Sequence, residues 1–149
     1  MKSVGILYHF LRLGFGAMFL YTGIIHAADP AAFALAVANY RLLPDILINF
    51  FAVVLPWAEI VCALCLISGR FVAGASMIIT LMLLAFTIAL VSALVRGLDI
   101  SCGCFSTDPD AARITWWYLV RDIALTLAGM ALFLLNSQKG TASPHGQEP

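Results

Sequence analysis

Cys102-Gly103-Cys104 is the part of this 149-residue chain with the most evident chemistry. Two thiols separated by one glycine can close only a very small ring. Such a ring is strained, and strained disulfides are the readily reduced kind. Glycine lets the backbone reach the angles that closure demands. On the residues alone three readings stay open. The pair is a redox-active dithiol, a capture site for a soft metal such as copper or mercury, or two cysteines packed under their loop. It follows Arg96-Gly97-Leu98-Asp99-Ile100-Ser101, and Arg121-Asp122 comes soon after. Nearby cations favour thiolate, so Arg96 and Arg121, together with Asp99, are the candidates for shaping the electrostatics of the thiols. Cys62 and Cys65 form a second pair, C-x-x-C, within EIVCALCLIS. They lie one helical turn apart in lipid-grade sequence with nothing to activate a thiol, and they read as packing residues.

The elements that must position these residues are membrane helices. Hydrophobic residues make up 62% of the chain and charged residues 11%, and mean hydropathy is +0.99. A soluble domain is near a quarter charged, so this chain cannot cover a water-facing surface and lipid is its main solvent. The net charge is zero and there is no basic run, which excludes a nucleic-acid partner. A helix crosses the hydrocarbon core in about 20 apolar residues. Residues 4–27, 46–68, 71–95 and 116–136 meet that requirement. The first apolar run is about twice the length of a secretory signal core and lacks a good small-x-small site, so cleavage is not expected.

The expected fold is therefore all-α, an integral membrane four-helix bundle over residues 1–136, with a disordered polar tail over 137–149. Asp29-Pro30 is an N-cap followed by proline at the first helical position. A short helix over residues 31–40 follows, lying at the interface or packed on the bundle. Ser68-Gly69-Arg70 makes the second and third spans an antiparallel hairpin. The polar stretch 96–115 joins the third span to the fourth.

Arg12 and Glu59 are the deep charges, and intramembrane charges normally face the bundle interior. Counted from the ends of their spans, Arg12 is about 12 Å deep and Glu59 about 14 Å deep on the same side. The matching depths predict an Arg12–Glu59 ion pair that clamps the first two spans. Near the other boundary, His26 reads as an interfacial residue, Arg121 can snorkel outward, and Asp122 faces protein. Trp116, Trp117 and Tyr118 form an aromatic belt. Four spans put both termini on one side, opposite the Cys102/Cys104 loop. The basic residues divide almost evenly, so charge does not orient the chain. Chemistry does: a disulfide-forming pair persists in an oxidising compartment. That places the loop on the oxidising side of the membrane and the termini in the cytoplasm.

The segments LRLGFGAMFLYTGIIHAADPAAFALAVANYRLLP, LPWAEIVCALCLISGR, VRGLDISCGCFS and ITWWYLVRDIAL carry a resemblance to the DoxX-like membrane proteins, and most closely to their MauE, or methylamine utilisation, branch. It runs over about residues 11–135. Two positions depart from the pattern: Ser106 stands where glycine is common, and His26 where lysine is common. Neither removes the cysteines. The resemblance implies a role in maturation, with a periplasmic thioredoxin-like partner acting on the disulfide-rich small subunit of methylamine dehydrogenase. A further likeness in shape to the vitamin K epoxide reductase bundle brings a quinone into consideration as cofactor, by fold-level analogy only. No resident metal is expected. The alternatives are a non-catalytic membrane subunit or scaffold, and a soft-metal transporter using both cysteine pairs.

Overall fold

The computed structural model describes residues 2–100 and 114–141. Among them are five helices: α1 Lys2–Ala28, α2 Pro30–Asn39, α3 Asp45–Ser68, α4 Val72–Val95 and α5 Trp116–Thr141. Four are long and apolar enough to cross a membrane, and α2 is the short exception. The architecture is the expected four-span bundle with one short helix between the first two spans. α5 continues to Thr141, past the expected end at Asn136. Extending an existing helix costs far less than nucleating one.

α1 packs most extensively on α3, and α4 on α5. The α1–α3 seam is close because glycines line it. A Cβ on Gly16 would lie 2.6 Å from Ile67 Cγ1. A Cβ on Gly23 would meet Ile60 Cγ1 at 2.8 Å, the Pro56 carbonyl oxygen at 3.0 Å and Glu59 Cβ at 3.1 Å. In lipid there is little hydrophobic drive between helices, so backbone proximity and the dispersion it allows must hold them. The same contacts fix the antiparallel register, with Gly16 beside Ala63 and Ile67 and Gly23 beside Pro56, Glu59 and Ile60. Gly129 on α5 gives Thr80 on α4 the same kind of access, with Thr80 Oγ1 at 2.9 Å from a Cβ placed there. One apolar core joins all four spans through Phe15, Phe19, Ala63, Leu66, Ile79 and Leu132.

The connections follow from local chemistry. The Asp29 side chain accepts the Ala32 N–H at 2.9 Å, and Pro30 opens α2 where no N–H is needed. Phe33 and Ala36 bury one face of α2, which packs on α3 and touches α1. This short helix therefore lies on the bundle. α3 ends at Gly69, whose φ of 76° carries the chain through the left-handed turn, with the Arg70 N–H closing on the Cys65 carbonyl at 3.1 Å. Pro56 sits inside α3 and is buried. Trp116 and Trp117 are 68% and 71% exposed at the start of α5.

This seam generates a paired expectation. Gly23→Leu overpacks it and lowers stability by roughly 1–3 kcal/mol, whereas Gly14→Leu, with nothing within 4 Å of its Cβ position, is tolerated. Thermal unfolding of the two variants in detergent separates them. Equal behaviour would show that α1 and α3 do not meet at Gly23.

Candidate functional site

Cys102 and Cys104 lie outside the described residues. The structure instead describes the frame from which their segment departs and to which it returns. The Ile114 N–H donates to the Ile100 carbonyl at 2.9 Å, so the two ends of the segment meet. Leu98, Ile100, Ile114 and Tyr118 pack against a small core of Tyr40, Leu90, Ala93 and Leu119. This neck is anchored by the ends of α2, α4 and α5.

The three residues expected to support the thiols fall around the neck. Arg96 is the C-cap of α4. Its Nη1 donates to the carbonyls of Tyr40 at 3.1 Å and Arg41 at 3.3 Å. A guanidinium at a helix C-terminus satisfies carbonyls that have no partner within the helix, and its charge complements the helix dipole. Asp99 is exposed. Arg121 is half-buried, with its guanidinium carbon 5.0 Å from the centroid of the Tyr118 ring, a distance at which a cation is drawn to the ring face.

Two buried polar groups lie deeper. Asp122, on the protein-facing side of α5 as expected, is 2% exposed. The Thr87 hydroxyl of α4 donates to its carboxylate, and Thr126 donates to the Asp122 backbone carbonyl at 2.9 Å. Tyr40, at the end of α2, is buried and packs edge-on against Phe86 of α4. Its phenol is held well above the usual tyrosine range, by burial first and then by the negative charge of Asp122, with Arg121 opposing. Tyr40 thus senses both charged residues at the start of α5.

Glu59 has a different partner from the one expected. His26 Nδ1 lies 3.2 Å from Glu59 Oε2. Phe33 stacks on the imidazole with centroids 4.1 Å apart and planes 15° from parallel. His26 is 3% exposed and thus buried against protein. The Arg12–Glu59 pair does not form because the register separates them. Glu59 faces Gly23, whereas Arg12 reaches Gly69, with Nη1 in the space that a Cβ there would take. Arg12 precedes Gly23 by eleven residues, or about 16 Å of helix rise. Depth measured from the end of an apolar run misled because α1 continues well past the level at which α3 turns. Arg12 Nε is buried without a hydrogen-bond partner among the described residues. Cys62 is buried and Cys65 half-buried, both as free thiols, and Cys62 belongs to the apolar core.

The pairing of His26 with Glu59 and the burial of Tyr40 were not foreseen in the sequence. A signal for the first was present. Gly23 and Pro56 each lie three residues before the pairing residue on their helix, so a bare backbone faces the carboxylate one turn from the imidazole. Nothing local marked Tyr40, whose burial depends on the end of α2 meeting α4 and α5.

Removing either member of the buried pair leaves a polar group stranded. His26→Leu and Glu59→Leu each cost roughly 3–5 kcal/mol, and the double variant loses less than their sum. Unfolding of the three variants in detergent tests this, and strictly additive losses would contradict the pairing. Tyr40 gives a pH expectation. With its folded-state pKa raised, the folded state holds a proton that the unfolded state releases above the ordinary value of 10.0. Stability is therefore full below that pH and declines as pH rises past it. Tyr40→Phe flattens this alkaline decline in the unfolding midpoint, and an unchanged slope would show that Tyr40 is not its source.

A family model described as methylamine utilisation protein MauE matches residues 4–135. The chain is 33% identical over 126 residues to "Methylamine utilization protein MauE" of Methylophilus methylotrophus, covering 80% of this chain and 65% of that protein. It is 28% identical over 123 residues to the protein of the same name from Paracoccus denitrificans, covering 82% and 66%. A third MauE, from Methylorubrum extorquens, is 32% identical over 109 residues, covering 72% and 58%. The chain thus spans somewhat under two thirds of the length of these curated relatives. No solved structure gives a significant match. With a family match across all four spans and the segment between α4 and α5, this chain belongs to the MauE family.

Proposed function

We propose that this protein serves methylamine utilisation as an inner-membrane thiol–disulfide exchanger, with Cys102 and Cys104 as the exchanging pair. The observation that carries the reading is the C-G-C sequence in the longest polar segment between two spans. That segment leaves and re-enters the bundle at the Ile100–Ile114 neck. A basic residue, Arg96, lies beside the neck and a second, Arg121, in the following helix. The naming of the relatives for methylamine utilisation supports the methylamine context.

The exchange balances simply. The thiolate of one loop cysteine attacks a disulfide sulfur of a protein partner, forming a mixed disulfide and releasing the partner's other sulfur as thiolate. The second loop cysteine, after losing its proton, attacks the mixed disulfide. The products are a Cys102–Cys104 disulfide and a reduced partner, with two electrons moved. Run in reverse, the same steps oxidise a partner dithiol. A thioredoxin-like periplasmic protein fits the partner role, and the small subunit of an amine dehydrogenase fits that of the final client. The termini are cytoplasmic in this reading and the neck faces the periplasm. Arg12 lies beside Gly69 at the terminal-side end of α3, and His26–Glu59 holds α1 to α3, with Phe33 of α2 stacked on the imidazole.

Cys102→Ser and Cys104→Ser each abolish disulfide maturation of the client while leaving the bundle folded, because a change in a polar loop opens no core cavity. Cys62→Ala and Cys65→Ala leave activity largely intact. If none of the four matters, a scaffold role is the better account. If all four matter equally, transport of a soft metal is favoured. Orientation is tested separately. After reduction, a membrane-impermeant thiol reagent labels the loop pair in cells with permeabilised outer membranes. Labelling only after the inner membrane is broken would reverse the topology.

A further inference from the structure

We infer that Arg96 is a positioning residue, which sets the neck of the cysteine-bearing segment through the end of α2 and not through its charge on the thiols. The inference rests on the thiol–disulfide reading above for its consequence in activity, but its structural content stands on the neck itself.

Three observations converge on Arg96. First, its guanidinium Nη1 is placed on the carbonyls of Tyr40 and Arg41. These carbonyls lie at and just past the C-cap of α2, and Arg41 holds the left-handed conformation, with φ at 50°. That conformation is costly for a residue with a side chain and persists only where its surroundings enforce it. Second, the residue after Arg96 is Gly97 at φ 65°, and the Leu98 N–H returns to the Ala93 carbonyl at 3.0 Å. The chain therefore turns directly from the arginine into the neck. Third, Leu98 and Ile100 pack against the small core formed by Tyr40, Leu90, Ala93 and Leu119, and Tyr40 is the residue whose carbonyl Arg96 holds. Arg96 and the neck thus meet at the same core.

The consequence is geometric. Cys102 is two residues beyond Ile100 in the chain. Any shift of α2 relative to α4 shifts the point from which the cysteines depart, and a protein partner must meet them there. A small thiol reagent has no such requirement. Lysine preserves the charge, but as a single compact ammonium it does not reproduce a planar guanidinium set across two carbonyls.

The test uses the full chain in nanodiscs, with Arg96→Gln and Arg96→Lys in parallel. Hydrogen exchange read by mass spectrometry follows the Ile114 amide, which closes the neck. Both variants should expose it to faster exchange. Unchanged protection in both would overturn the inference, whatever the protein's activity. Exchange with oxidised thioredoxin, as a model protein disulfide, should fall roughly tenfold in both variants, the scale of losing charge-assisted hydrogen bonds. The pH profile of iodoacetamide alkylation at Cys102 and Cys104, measured in a Cys62→Ala/Cys65→Ala background, should stay where it is. A profile that moves in Arg96→Gln and returns in Arg96→Lys would make Arg96 an electrostatic residue and overturn the positioning role. Absence of exchange in the unsubstituted protein would count against the thiol–disulfide function and leave the amide protection to decide the role of Arg96.

Discussion

A carboxyl group in the hydrocarbon interior has no water to turn to, and its cost there is several kcal/mol unless protein atoms replace the water. This chain places two such groups inside its spans, Glu59 and Asp122, and both are buried. Each finds its partner on a different helix: Glu59 on His26 of α1, and Asp122 on Thr87 of α4. The two contacts fall within the two most extensive helix pairings, α1 with α3 and α4 with α5. The need to solvate two carboxyl groups internally therefore acts on the same seams that small residues bring close.

The first crossing shows how local chemistry and this constraint combine. Asp29 and Pro30 stop α1 and start α2. Phe33, one turn into α2, then stacks on His26, so the polar pair is covered by an aromatic face at the corner between the two helices. At its other end α2 delivers Tyr40 to the core beneath the neck, and Arg96 fastens its last carbonyls to α4. A helix of ten residues would be marginal alone. Here its two ends are tied to different parts of the bundle, and that links the α1–α3 seam to the loop that carries the cysteines.

Much of this was legible in the sequence. Span number and approximate bounds follow from apolar length, the hairpin from Ser68-Gly69-Arg70, and the short helix from Asp29-Pro30, because each depends on local composition or capping. Asp122 was readable as protein-facing, since a carboxylate on the lipid side has no means of support. The partner of Glu59 was not readable. Pairing across helices depends on register, and register here is set by Gly16 and Gly23, whose effect appears only when α3 is laid against them. Depth counted from the ends of apolar runs gave Arg12, which the structure places at the C-terminus of α3 beside Gly69. The burial of Tyr40 and the placement of Arg96 on its carbonyl were hidden for the same reason: both require α2 to be folded back on the bundle. The chemistry of Cys102 and Cys104 rests on sequence and kinship.

The central claim is that these two cysteines cycle between dithiol and disulfide while the intramembrane pair does not. The most direct measurement is acid-quenched differential alkylation followed by mass spectrometry, on membranes equilibrated across a series of glutathione redox ratios. The account predicts that Cys102 and Cys104 convert together, as one two-electron couple, while Cys62 and Cys65 remain thiols across the series. Loop cysteines that stay reduced at every ratio, or that oxidise independently of each other, would contradict it.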